Sequence, residues 1–171
     1  MALDPNDSER DEKTRTRRVP DGTRVVAVVS SYHGELTGAM QASAEKVLID
    51  AGMEPGAFEV VEVPGAFELP LAAQWSALRR EVDAVLCFGL VLKGETTHDQ
   101  TIAFAAAQGI TQVGLDTNKP VLFGLLTCQT IEQARARALP ASAGGQDKGA
   151  EVARAAVDML MMREVMGATT R

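Results

Sequence analysis

The 171-residue chain has few cysteines, few aromatic residues, no excess of positive charge and no long apolar run. Cys87 and Cys128 are too few and too far apart for a disulfide framework or a metal quartet, and no C-x-x-C pair occurs, so both read as free thiols. No segment reaches the roughly 18 consecutive apolar residues needed to span a bilayer. The N-terminal stretch also lacks the apolar core of a secretory signal. A cytoplasmic protein with no membrane partner is therefore expected. Lys and Arg number 17 against 23 Asp and Glu, a formal net charge of -6. Phosphodiester backbones call for clustered Lys and Arg, so nucleic acid is not an expected partner. What is present is ordinary globular composition, 46% hydrophobic and 23% charged. At this length a single domain buries roughly 70% of its unfolded-chain surface.

Residues 1–18 carry five acidic and five basic side chains, so the net charge lies in residues 19–171. Alternating charge without periodicity predicts a disordered tail over residues 1–20 and a single domain over 21–171. The pattern changes at Thr23. Val25–Val29 is a β-branched run that ends at Ser30-Ser31, as expected of a strand buried on both faces. Leu36, Met40, Ala44, Val47 and Leu48 recur at helical spacing over 36–51, and Gly52 comes next. Phe58–Val63 reads as a second strand stopped by Pro64-Gly65, and Glu68–Arg80 as a helix that tolerates Pro70 in its first turn. Ala84–Leu92 is the most apolar segment and is expected as the central strand. A helix over 97–113, a strand over 120–126 and helices over 131–139 and 148–162 complete the order βαβαβαβαα. Alternating strands and helices imply parallel pairing with right-handed crossovers. The expected fold class is α/β, a three-layer α/β/α sandwich on a four-stranded parallel sheet.

In such sheets ligands bind beyond the carboxyl ends of the strands, so the chemistry is sought in the segments just past them. Tyr32, the only tyrosine, stands where a ring either covers the sheet edge or stacks on a planar heterocycle. Glu68 opens a helix, where a carboxylate either complements the helix dipole or accepts from substrate hydroxyls. Gly94-Glu95-Thr96-Thr97-His98 places glycine and threonines before a helix start, whose free N–H groups suit a phosphate. His98 comes last in that run, with an imidazole whose ordinary pKa of about 6.5 allows proton transfer at neutral pH. Neither a G-x-x-x-x-G-K-[ST] loop nor a G-x-G-x-x-G turn after the first strand is present, so nucleoside triphosphate and dinucleotide chemistry lack their signatures. Arg137 and Lys148 flank the linker 139–145; by spacing alone they are charges on solvated helix faces.

Val63-Pro64-Gly65-Ala66-Phe67-Glu68-Leu69-Pro70, Gly94-Glu95-Thr96-Thr97-His98, Gly124-Leu125-Leu126-Thr127 and Ile131-Glu132-Gln133-Ala134, in this order, resemble the motifs of the lumazine synthase family over about residues 23–165. The resemblance implies a flavodoxin-like sandwich and an enzyme of riboflavin biosynthesis, a transferase working without metal or redox cofactor. Its members condense 5-amino-6-ribitylaminouracil with 3,4-dihydroxy-2-butanone 4-phosphate to 6,7-dimethyl-8-ribityllumazine, releasing phosphate and water. Carried over residue by residue, Tyr32 takes the place of the aromatic that stacks on the pyrimidine. Ala66, Phe67 and Glu68 take the places that hold the uracil and ribityl groups, and Leu90, Val91 and Leu92 those that line the other side of the ring. Glu95 and Thr96 stand for the amides that bind phosphate, Arg137 for the guanidinium that closes on it, and His98 for the proton shuttle. Phe123 and Arg137 match residues that reach a neighbouring subunit's site, and Lys148 belongs to the same late basic pair as Arg137.

The resemblance further implies a homopentamer, with riboflavin synthase as a candidate partner. The 11 positions from Arg137 to Lys148 look longer than in shell-forming members, which points to a free pentamer or a pentamer pair. His33 stands where many members carry Asn, Lys93 where Arg is usual, and Asp99 where an aromatic commonly follows the histidine. Two other readings are a lumazine- or riboflavin-binding paralogue without turnover and a generic flavodoxin-like domain holding a phosphate-bearing cofactor.

Overall fold

The computed structural model describes residues 18–167. The expected tail lies outside the described residues except for its last three. Among those, Val19 is buried, and its N–H donates to Ala51 O at 3.0 Å. An apolar side chain with a satisfied amide thus ties the start of the described chain to the fold.

Among the described residues four strands, β1 (Val25–Ser30), β2 (Phe58–Val63), β3 (Ala84–Leu92) and β4 (Val121–Cys128), form one sheet in the order β2-β1-β3-β4, parallel throughout. Five α-helices among the described residues connect or follow them: α1 (Gly34–Asp50), α2 (Leu69–Ala77), α3 (His98–Thr117), α4 (Ile131–Ala138) and α5 (Lys148–Val165). Central β1 is buried at all six positions because successive side chains feed two different cores. Val25, Ala27 and Val29 join Leu86 and Phe88 against α1, α4 and α5. Val26 and Val28 join Val85 and Cys87 against α2 and α3. The result is the α/β/α sandwich expected from the sequence. Edge strand β2 buries Phe58 and Val63 and leaves Glu62 exposed.

The boundaries depart from the sequence reading in places, each for a local reason. The helix expected over 68–80 is a 3₁₀ turn, Ala66–Glu68, followed by the shorter α2, with Pro70 in its first turn, where its missing N–H costs nothing. Beyond α2, Arg79 leaves the helical path and pairs bidentately with Glu59 (2.8 and 2.9 Å) and through Nε with Glu81 (2.9 Å). Helix α3 runs past Val113 to Thr117 and stops where Asn118 adopts left-handed φ 54°. Strand β4 continues to Cys128, because register with β3 holds as far as Leu92 opposite Cys128.

From β1 the chain turns one way to β2, and it then crosses over β1 to reach β3 on the other side. The carboxyl ends of β1 and β3 are the switch point at which such sheets open a crevice.

Candidate functional site

Three segments meet at that end of the sheet. The first is the turn from β1 into α1. Ser31 donates twice to Val63 O, from its N–H at 2.8 Å and its hydroxyl at 3.1 Å, which fastens the ends of β1 and β2 together. Tyr32 is next, 71% exposed, its ring edge-on to His33 with the centroids 6.4 Å apart. His33 itself has φ 58° and ψ 43°. His and Asn are among the non-glycine residues most often found in this left-handed region, which accounts for His33 standing where the resemblance led one to expect Asn.

The second segment carries Ala66, Phe67 and Glu68 on one 3₁₀ turn after β2. Ala66 is buried and anchors the turn, while Phe67 is 60% exposed and Glu68 is exposed. The Glu68 carboxylate lies back over Gly65, where an added Cβ would come within 3.2 Å of Oε2. The third segment leaves β3. Lys93 N–H donates to Cys128 O at 2.9 Å, and Gly94 through His98 are all exposed. Helix α3 starts at His98 and is 20 residues long; its N-cap Thr97 makes no side-chain cap. The first-turn N–H groups therefore face the loop without that acceptor, and Thr96 Oγ1 only approaches His98 N–H at 3.4 Å.

The other predicted residues divide. Leu90 and Val91 are buried on opposite faces of β3 and support the site from within the cores. Leu92 is half-buried and lines a cavity of about 430 Å³ with His33, Gly34, Leu36, Ile131 and the ion-paired Glu35 and Arg135. Among the predicted substrate-binding and catalytic residues, Leu92 alone lines that space. Phe123 lies in mid-strand, in register with Cys87. Arg137 sits in the last turn of α4, where Nη1 donates to Gln133 O at 3.2 Å. Lys148 opens α5 and pairs with Glu151 at 2.6 Å. Helices α4 and α5 pack on the face opposite α2 and α3. One chain thus gathers Tyr32, Ala66–Glu68 and Glu95–His98 at neighbouring strand ends; Phe123 lies in mid-strand, Arg137 lies on the opposite face of the sheet with its guanidinium near Cys128, and Lys148 lies at the start of α5. Motif reading passed over Thr37 and Arg135, since only tertiary contact shows Thr37 buried at the turn and Arg135 facing Glu35.

Both cysteines are buried. Burial pushes the Cys87 thiol up to about 12. Burial also raises that of Cys128, against which the nearby Arg137 guanidinium pulls. Neither thiol is a nucleophile at neutral pH. Among the described residues no group of three or more His, Cys, Asp or Glu could hold a metal ion, and no helix is long and apolar enough to cross a membrane.

The family model for 6,7-dimethyl-8-ribityllumazine synthase matches residues 22–164. A 6,7-dimethyl-8-ribityllumazine synthase of Cytophaga hutchinsonii is 44% identical over 135 residues, covering 78% of this chain and 82% of the relative. One of Salinibacter ruber is 42% identical over 141 residues, 82% of this chain and 88% of its own. One of Mycobacterium avium is 43% identical over 146 residues, 84% of this chain and 88% of its own. The family match runs through all four strands and the loops at their carboxyl ends, and on that ground the chain belongs to the 6,7-dimethyl-8-ribityllumazine synthase family, enzymes of the transferase class in riboflavin biosynthesis.

Proposed function

We propose that the protein condenses 5-amino-6-ribitylaminouracil with 3,4-dihydroxy-2-butanone 4-phosphate to 6,7-dimethyl-8-ribityllumazine, phosphate and water, the penultimate step of riboflavin biosynthesis, in the cytoplasm. The observation that carries this reading is the convergence of Ala66–Glu68 and Glu95–His98, the two most specific motifs, on the same end of the sheet beside Tyr32. In this reading Tyr32 stacks on the pyrimidine. The backbone of Ala66 and Phe67 with the Glu68 carboxylate holds the uracil and ribityl groups, and Leu90, Val91 and Leu92 back the ring. The amides of Glu95 and Thr96 bind the butanone phosphate at the start of α3.

His98 moves the protons of imine formation and phosphate elimination, and orientation of the two reactants supplies much of the barrier reduction. Phe123 and Arg137 then act on a neighbouring copy, Arg137 as a charge-assisted donor to phosphate, and Lys148 adds the second late basic group. The protein is accordingly a homopentamer with shared sites, free or as a pentamer pair, with riboflavin synthase as the enzyme that takes up the product. A sedimentation peak at the mass of a sixty-subunit shell overturns that assembly.

The test is absorbance at the lumazine band after purified protein is mixed with both substrates, beside a His98→Ala control. Turnover that falls about 10²-fold or more in the control is expected. Product binding without turnover in the wild type selects the non-catalytic paralogue instead.

A further inference from the structure

Thr37 lies in the first turns of α1 and is fully buried. A threonine inside a helix ordinarily turns its hydroxyl back to the carbonyl four residues earlier. Here that carbonyl is His33 O, 3.5 Å away, whereas Ser30 O, seven residues back at the end of β1, accepts the hydroxyl at 2.9 Å. The Thr37 N–H meanwhile donates to His33 O at 3.2 Å, beside Leu36 N–H at 2.9 Å. One residue therefore holds both ends of the turn Ser30–His33, and Tyr32 lies between them.

Tyr32 gains little positioning from its own side chain, which is mostly exposed and meets the equally exposed His33 edge-on. Its ring stands where the backbone puts it. That backbone includes a non-glycine residue at φ 58°, a conformation that persists only where the surroundings over-determine it. The surroundings here are the Ser31 bonds to Val63 O on the sheet side, the Thr37 bonds on the helix side and a long 3.5 Å contact from the Ser30 hydroxyl to Tyr32 O.

We infer that Thr37 is a positioning residue for Tyr32, its buried hydroxyl fixing the β1–α1 turn that sets the exposed ring over the strand ends. The inference rests on the reading of Tyr32 as the ring that stacks on the pyrimidine. Ser30 O and the Thr37 hydroxyl are internal to the fold, so an effect on substrate passes through the turn Ser31–His33, on which Tyr32 carries the largest exposed ring.

The experiment is steady-state kinetics on the full chain with each substrate varied in turn. Thr37→Val keeps the shape and deletes the hydroxyl. It is expected to raise KM for the pyrimidine about tenfold, the ratio a single buried hydrogen bond is worth, with KM for the butanone phosphate unchanged. Thr37→Ser should restore the wild-type value, and Thr37→Val should add nothing to Tyr32→Ala. If Thr37→Val does not fold, His33→Val strains the same turn from the surface and should give the same selective rise, while His33→Asn should not. A rise in both KM values alike, a loss confined to kcat, or full additivity with Tyr32→Ala overturns the inference. A pyrimidine KM indifferent to Tyr32→Ala removes the stacking reading itself, and the inference with it.

Discussion

Phe123 pairs with Cys87 five residues before the level at which Leu92 meets Cys128. At about 3.3 Å per residue in a parallel strand, that is roughly 16 Å from the end of the sheet where Tyr32 and the start of α3 lie. Phe123 is nevertheless 44% exposed, on the α2/α3 side that it shares by alternation with Val121 and Leu125. A residue so placed lies well away from its own chain's strand-end loops.

Complementation by subunit mixing tests the proposed sharing of the site between copies. In the proposed shared site His98→Ala and Arg137→Ala damage different halves, so an equal mixture that is unfolded and refolded together is expected to regain activity that neither variant has. Random assortment around a closed head-to-tail ring pairs an intact His98 with an intact neighbouring Arg137 at about a quarter of the interfaces. Recovered activity near that fraction is expected, and none at all would mean that each chain builds its site alone.

Cys87 makes stability pH-dependent on the alkaline side. Its native pKa, pushed up to about 12 by burial, lies above the value of about 8.5 for a thiol in the unfolded chain. The unfolded state therefore loses its proton first. The contribution is complete below about pH 8.5 and is lost as pH rises toward the native value, at up to about 1.4 kcal/mol per pH unit. Urea unfolding from pH 7 to 10 should show the wild type losing stability more steeply than Cys87→Ala. The lowered pKa of buried Lys119 acts on both chains equally and cancels in the comparison.

Asp147 joins two elements far apart in sequence. Its Oδ1 accepts from Ala150 N–H at 3.1 Å as the N-cap of α5 and from the Ser43 hydroxyl of α1 at 2.6 Å, and its backbone is left-handed at φ 55°. Asp147→Ala is expected to cost about 1–2 kcal/mol, since it removes the cap and leaves a conformation alanine tolerates poorly. Asp147→Asn keeps an acceptor and the conformational tolerance, and should cost much less. Thermal unfolding separates the two, at about 2–4 °C per kcal/mol for a chain of this size.

Two helical glycines should respond in opposite directions. A Cβ on Gly149 would collide with Met40 O, where α5 crosses the backbone of α1, whereas one on Gly38 would meet nothing within 4 Å. Gly149→Ala is expected to cost about 3 kcal/mol or more, because the obstacle is backbone. Gly38→Ala should gain about 0.5–1 kcal/mol from helix propensity. Denaturant midpoints measure both.

Much of this molecule is legible in its sequence. The β-branched run Val25–Val29, the apolar run Ala84–Leu92 and the helical spacing of Leu36, Met40, Ala44 and Leu48 are local patterns, and each became the element it indicates. They do so because a strand buried on both faces, or a helix with one buried stripe, has only one way to satisfy its backbone and cover its apolar side chains. The loop motifs at Ala66–Glu68 and Glu95–His98 were legible for the same reason, being contiguous. What only the tertiary structure decided is long-range. It sets the strand order that brings β1 between β2 and β3, the mid-strand level of Phe123, and the placing of Arg137 on the far face of the sheet from α3. It also turns the Thr37 hydroxyl to Ser30 O and seats Gly149 on Met40. Each depends on where a second segment lies, and no pattern within one segment specifies its partner in space; the packing of both cores against one sheet does.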